Sequence, residues 1–327
     1  MPAGGQSACL GTAYMDIPTI FPPALRPGDA IGIVAPAGPV CTPDAINPAV
    51  ALVESWGFTV RFDRRIFEAS RYLAGSDEAR AGELMRYFSD PSIQAILALR
   101  GGFGCSRLIQ RLDEGSMRHN CKLFIGFSDL TTLHMYFRRR FGWITVHGPM
   151  ATTLTRENTS AEEEKHLVSL LTDPQYLPAL RFPQLESWVP GTSEGRIVGG
   201  CLSLVAASIG TAYEIKTEGK ILFLEESGEA PYRIDRMITH LQLAGKLDGV
   251  AGFLIGSLCN CEPDEGSYSA ADVLRELLTP VGVPILANFP AGHGSANWAL
   301  ALGARARMDT HLGEVRYLEP AVAASGG

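Results

Sequence analysis

Three short apolar runs, Ala30-Ile-Gly-Ile-Val-Ala35, Ile93 to Leu99 and Leu123 to Phe127, constrain this chain most strongly. Each is too short for a buried helix and too continuously apolar for a strand with one wet face, so each reads as a strand buried on both sides. The first is stopped by Pro36 and Pro39. Between the runs the pattern predicts a helix over roughly Pro43 to Trp56, a strand from Phe58 to Phe62, a helix capped by Ser76 and Asp77 and ended by Asp90-Pro91, and a further helix around Ser106 to Asp113. Strands alternating with helices imply a parallel sheet covered on both faces, whose ligands bind beyond the carboxyl ends of the strands.

The second half has a different texture. From about Thr153 to Pro190 the chain carries Glu162-Glu-Glu164, Asp173-Pro and then Pro178, Pro183 and Pro190, which suggests a short helix and an extended connection. Beyond it, a helix is expected on Leu202, Val205 and Ile209, with others over Ile234 to Ala244 and Asp272 to Leu278. Strands are expected at Lys220 to Glu225, Val250 to Ser257, Pro284 to Asn288, Ala304 to Asp309 and Val315 to Leu318. The expected organisation is an N-terminal extension (1–24), an α/β domain (25–153), a linker (154–190) and a smaller, mixed, β-rich domain (191–327). A length of 327 residues suits two domains.

Composition excludes several function classes. A formal charge of −7 lacks the basic excess of a nucleic-acid binder, and no apolar run is long enough to cross a bilayer. Residues Met1 to Tyr14 have neither the basic nor the long apolar segment of a secretory signal, and Met15 is an alternative start. Seven scattered cysteines, Cys9 and Cys41 among them, suit reduced thiols and a cytoplasmic setting. Cys259-Asn-Cys261 has the wrong spacing for a zinc or redox pair, so no metal and no cofactor is expected.

Two strand ends carry candidate chemistry. Ser128 follows the third apolar run, and Leu130, Leu133 and Phe137 then open an amphipathic helix with Arg138, Arg139 and Arg140 near its end. A serine on such a turn is either the N-cap of the helix or an exposed nucleophile, although the general G-x-S-x-G elbow fails at Leu130. Arg100-Gly-Gly-Phe-Gly104 follows the second run and is either a tight turn or a loop whose backbone N–H groups receive an oxyanion. For a base, His119, His166 and His311 read as solvated, His134 points away from Ser128, and His240 packs on a helix. His147 is a candidate to line the cleft, and His293, flanked by Gly292 and Gly294 at a strand end, is the candidate to reach a partner. Glu225 ends the apolar strand Leu222-Phe-Leu and is either turned to solvent or paired. The order Ser128, Glu225, His293 is one of those in which serine triads occur.

The sequence also resembles the LD-carboxypeptidases (murein tetrapeptide carboxypeptidases), whose relatives include the microcin C self-immunity proteins. The matching stretches are Leu25-Arg-Pro-Gly-Asp29, Val34-Ala-Pro-Ala-Gly38, Leu99-Arg-Gly-Gly-Phe-Gly104, Gly126-Phe-Ser-Asp-Leu-Thr131, His147-Gly-Pro-Met150, Gly199-Gly200, Leu224 to Met237, Gly292-His-Gly294 and Leu302-Gly303. The resemblance implies Ser128 as nucleophile, Glu225 as acid and His293 as base. It also implies a Rossmann-like first domain, a swivelling β-rich second domain and often a homodimer. The substrate implied is a murein tetrapeptide losing its terminal D-alanine, in cytoplasmic peptidoglycan recycling, with no nucleic-acid or membrane partner. The oxyanion donors would be the N–H of Asp129 and that of Gly101 or Gly102, and Arg100 and Arg233 are candidate substrate-binding residues. Two alternatives stand beside it: microcin-immunity-like cleavage of a peptidyl-nucleotide amide, and a non-catalytic nucleotide- or peptide-binding protein. Phe103 and Phe127 stand where relatives often have Tyr, and Cys201 where they often have Asn.

Overall fold

In the computed structural model the described residues are 17–324, except 41, 156, 264, 265 and 267. The expected tail Met1 to Tyr14, Met15, Cys9 and Cys41 lie outside them. Five parallel strands follow the alternation read from the sequence: β1 (Ala30–Val34), β2 (Thr59–Arg61), β3 (Ala95–Ala98), β4 (Leu123–Gly126) and β5 (Thr145–His147). Between them run α1 (Asn47–Ser55), α2 (Asp77–Ser89), the single turn α3 (Glu114–Met117) and α4 (Thr131–Phe141). The strand order β2-β1-β3-β4-β5 puts its topological switch point between β1 and β3, beside the loops that leave these two strands. Those loops are Pro36–Pro39 and Arg100–Gly104, tied together by Gly38 N–H donating to Gly101 O at 3.1 Å.

The second sheet is built from β6 (Ala179–Arg181), β7 (Glu186–Val189), β8 (Thr192–Cys201), β9 (Lys220–Ser227), β10 (Gly252–Cys259), β11 (Ile285–Ala287), β13 (Arg305–Asp309) and β14 (Glu314–Tyr317). The helices around it are α5 (Ala161–Thr172), α6 (Leu202–Ala207), α7 (Pro231–Leu243) and α8 (Ala270–Leu278). Residues 154–190 thus carry α5 and two strands of this sheet. The remaining strand, β12 (Leu300–Leu302), leaves the second half and pairs antiparallel with β5, Leu300 opposite His147 and Leu302 opposite Thr145. Ile31, Leu97, Ile125 and Val146 of the first sheet share one buried apolar cluster with Ile197, Ile221, Phe223 and Leu254 of the second.

Three local expectations are corrected. The helix expected at Ser106 to Asp113 is two 3-10 turns, Cys105–Arg107 and Ile109–Arg111, because the chain enters through Gly104 at φ 140° and its first amide is held by the Asp129 carboxylate. The helix expected from Pro43 opens with a 3-10 turn, Pro43–Ile46, before α1. The helix expected on Leu202, Val205 and Ile209 is α6, which ends at Ala207 before reaching Ile209, and Gly199-Gly200 lies inside the ten-residue β8 that leads into it. A Cβ on Gly199 would stand 2.0 Å from Phe223 O, and one on Gly200 2.5 Å from Thr131 Oγ1. The glycines let the end of β8 pass between β9 and the first turn of α4, where Cys201 N–H donates to Thr131 Oγ1 at 3.1 Å. Among the described residues, no helix is long and apolar enough to cross a membrane.

Candidate active site

Ser128 sits at the carboxyl end of β4 in the left-handed region, φ 64°. For a residue with a Cβ this conformation costs on the order of 1–2 kcal/mol, so the surroundings must impose it. Its hydroxyl caps neither the 3-10 turn Ser128–Leu130 nor α4, which removes the simple N-cap reading. The side chain is instead half-buried and turned toward the loop after β3. A Cβ placed on Gly101 would lie 2.8 Å from both Cβ and Oγ of Ser128 and 3.6 Å from the Asp129 nitrogen. Only glycine fits there.

The turn and the loop are fastened from below. Asp129, 1% exposed, accepts the Cys105 N–H on Oδ2 at 2.8 Å. Burial holds its carboxyl above the usual range, and the hydrogen bonds from Cys105 offset this only in part. Fully buried Arg80 donates to Pro36 O, to Gly104 O at 3.0 Å and to Asp77, joining the β1 and β3 loops to α2.

From the second sheet come Glu225 and His293. Glu225, inside β9 near its carboxyl end, has no exposure, which excludes the reading of a charge turned to solvent. Its Oε2 accepts a hydrogen bond from His293 Nδ1 at 2.7 Å, which assigns the proton to Nδ1 and leaves Nε2 as the basic nitrogen. Gly292, at φ 112°, lays its backbone directly on this carboxylate: a Cβ there would meet Oε2 at 2.4 Å. Burial pushes the His293 pKa down, but the hydrogen bond and charge of Glu225, with a further contribution from Glu226, outweigh it and hold it above the usual histidine value. The imidazole packs edge-on against Phe127, centroids 4.9 Å apart, and Phe127 immediately precedes Ser128. A 340 Å³ pocket lined by Phe127, Thr153, Glu163, His293 and Asn297 opens beside this contact. The Glu225–His293 pair of the second half thus packs against Phe127, the chain neighbour of Ser128 at the end of β4.

Profiles of the LD-carboxypeptidase N-terminal and C-terminal domains match residues 31–148 and 194–308. The chain belongs to the LD-carboxypeptidase family. It is a serine peptidase of the LD-carboxypeptidase type, 36% identical over 292 residues to a probable murein peptide carboxypeptidase of Bacillus subtilis, covering 88% of this chain and 91% of that protein. The murein tetrapeptide carboxypeptidase of Pseudomonas aeruginosa is 31% identical over 85% of this chain and 92% of its own length. Among solved structures, a muramoyltetrapeptide carboxypeptidase from Oxalobacter formigenes superposes with a TM-score of 0.77 at 27% identity, over 91% of this chain and all of that one. The microcin C7 self-immunity protein MccF, in complex with aspartyl sulfamoyl adenosine, superposes at 0.86 with 22% identity, over 93% of this chain and all of that one; this likeness concerns the fold.

In this LD-carboxypeptidase the other candidates occupy varied places. Arg100 is exposed and donates to Pro39 O at 3.2 Å. Arg233, on the exposed side of α7, bonds Glu229 at 3.2 Å and Tyr232 Oη at 3.0 Å. His147 lies behind the cleft, fully buried between the rings of Phe127 and Phe223, and burial lowers its pKa well below the usual value. His134 bridges Thr145 Oγ1 and Gly126 O, each at 2.8 Å, and is pushed down to about 4, chiefly by burial. Two histidines differ from expectation: His166 is buried and bonds Tyr176 Oη and Ala299 O, while His240 is exposed. Both stand on amphipathic helices, where one residue of phase decides between core and solvent. Sequence reasoning missed Glu226, buried beside Glu225 and accepting the Ser203 and Ser227 N–H groups at 2.7 and 2.8 Å and the Cys201 thiol. The signal was present as a second glutamate closing an apolar strand. Among the described residues, no group of three or more His, Cys, Asp or Glu is disposed to hold a metal ion.

Proposed function

We propose that this peptidase hydrolyses the bond between an L-configured diamino-acid centre and the terminal D-alanine of murein tetrapeptides, in cytoplasmic peptidoglycan recycling and as a homodimer. The observation that carries the reading is the 2.7 Å bond from His293 Nδ1 to buried Glu225, beside a serine held at φ 64°. In the proposed reaction Nε2 of His293 takes the Ser128 hydroxyl proton as Oγ attacks the carbonyl carbon. The oxyanion forms against the N–H of Asp129 and that of Gly101 or Gly102. Glu225 keeps Nδ1 protonated and stabilises the imidazolium. Nε2 then delivers its proton to the D-alanine nitrogen, the C–N bond breaks, and an acyl ester remains on Ser128. Water, deprotonated by Nε2, cleaves the ester and restores the serine.

Loss of one oxyanion donor typically costs about 3 kcal/mol of transition-state stabilisation. Arg100, beside the Gly101 amide, is the proposed partner of a substrate carboxylate, a bidentate task suited to a guanidinium. Arg233 is a second candidate on the substrate side. The decisive experiment is Ser128→Ala: D-alanine release should vanish while the circular dichroism spectrum stays that of the wild type. Turnover near the wild-type rate would overturn the reading, and cleavage of aminoacyl sulfamoyl adenosine in preference to tetrapeptide would redirect it to a different amide.

A further inference from the structure

We propose that Tyr72 and Phe103 form an aromatic shelf at the rim of the site, which takes the face of a sugar ring carried on the acyl side of the peptide substrate. The proposal rests on the murein-peptide reading above and adds a binding surface outside the reacting groups. Tyr72 is 53% exposed and Phe103 47% exposed. Single exposed aromatics are ordinary. These two come from different loops and meet edge to face, centroids 5.9 Å apart at 63°, making one continuous apolar surface.

The backbone is bent to present them. Phe103 stands between Gly102 (φ 115°) and Gly104 (φ 140°), and Tyr72 follows Arg71, whose φ of 57° is unfavourable for a residue with a side chain. The two loops are also locked together. A Cβ on Gly104 would lie 2.6 Å from Arg80 Nη1 and 2.8 Å from Leu73 Cδ2, so the Phe103 loop rests on the neighbour of Tyr72. Ala74 N–H donates to Ala37 O at 2.9 Å, and the Arg71 guanidinium covers the Tyr72 ring at 5.7 Å. Rings held in advance lose little freedom when a ligand arrives.

Position selects the part of the substrate. Phe103 lies two residues beyond Gly101, which touches Ser128, so the shelf begins within about 7 Å of chain from the nucleophile. The proposed leaving group is a single D-alanine on the side of His293, so a ligand spanning Ser128 and Phe103 does so with its acyl portion. A tetrapeptide keeps three residues there, about 10 Å of extended chain, before the amino sugar of murein. Two rings at 63° make a V rather than a parallel slot. A puckered ring with C–H faces fits that shape better than a flat base does.

The test compares D-alanine release from N-acetylmuramyl-tetrapeptide and from the sugar-free tetrapeptide in the wild type, the Tyr72→Ala/Phe103→Ala double variant and Phe103→Tyr. The ratio of KM with sugar to KM without it should rise roughly tenfold in the double variant and return toward wild type in Phe103→Tyr. An unchanged ratio overturns the shelf. So does inhibition by AMP that the double variant abolishes, which would give the surface to a base, or an altered sedimentation mass, which would give it to a second copy of the chain. Calorimetric binding of the same two peptides to Ser128→Ala, with and without the double substitution, reads the shelf without turnover. A failure of the proposed activity is thereby separated from a failure of the shelf.

Discussion

His293 donates from Nδ1 to Glu225 Oε2 over 2.7 Å, and the accepting carboxylate is wholly shielded from solvent. The pair joins a loop that leads into β12 of the first sheet to the carboxyl-terminal part of β9 in the second. A charge so buried needs its partner: Gly292 covers it on one side, and Glu225 Oε1 has no protein hydrogen-bond partner. The geometry sets the tautomer of the imidazole and the pH range in which its other nitrogen is basic.

Glu225→Gln keeps the shape but removes the charge and permits the opposite tautomer. The rate constant for D-alanine release should fall on the order of 10³-fold or more, by analogy with the loss of the orienting acid in other serine triads. In the wild type the His293 pKa is raised, so its base function should be lost as pH falls through a value above 6.5. The same raised pKa adds stability that is fully present at low pH and lost as pH rises through the folded-state value. In the variant the acidic limb should shift to lower pH. A pH–rate profile of both proteins checks it, and an unmoved limb would mean that another group titrates.

The φ of 64° at Ser128 is strain held by the fold, and glycine has no Cβ to suffer it. Ser128→Gly should be more stable than Ser128→Ala by about 1 kcal/mol, measured as a shift in the urea midpoint, with both inactive. Equal midpoints would show that the turn is not strained.

Gly101→Ala puts a methyl group 2.8 Å from both Cβ and Oγ of Ser128. Overpacking of this kind costs about 1–3 kcal/mol. Thermal unfolding should register that loss, and kcat should fall far more than stability, because the displaced groups are the proposed nucleophile and oxyanion donors.

Arg80→Ala removes a fully buried guanidinium that holds Pro36 O, Gly104 O and Asp77. Asp77, whose carboxyl is held below its usual range by Arg107 and Arg80 against the opposing cost of burial, would keep only its outer arginines. Removing one member of such a buried pair costs about 3–5 kcal/mol. Denaturant titration should show it. In the wild type the Asp77 contribution is present above the ordinary aspartate pKa and fades as pH falls through the depressed one, so the variant should lose part of the acid-induced destabilisation.

Much of the first sheet was legible because Leu123 to Phe127 and its sister runs are apolar on both faces, which leaves a strand little choice of environment. Helix α2 announced itself through Ser76, whose hydroxyl caps the backbone N–H of Ala79, whereas the Ser160 cap of α5 emerged only in the structure. The strand β8 went unread because its need for glycine comes from other elements: a Cβ on Gly195 or Gly199 would meet neighbouring backbone, and one on Gly200 the Thr131 side chain. The short β12 carries no pattern of its own. It is a strand because β5 lies beside it, and such pairing is paid for by a neighbour no window of sequence contains.

What the sequence by itself determined is the chemistry available near each strand end: a serine after β4, glycines after β3, a glutamate late in β9 and a glycine-flanked histidine after β11. Each residue had an innocent local reading as a cap, a turn, a solvated charge or a loop. Only the tertiary structure decided among these, by leaving the Ser128 hydroxyl out of the helix cap, burying Glu225 completely, and laying Gly292 and His293 on its carboxylate. The reason is physical: strain, desolvation and ion pairing depend on what surrounds a group in space, and Glu225 and His293 pair across 68 residues of chain.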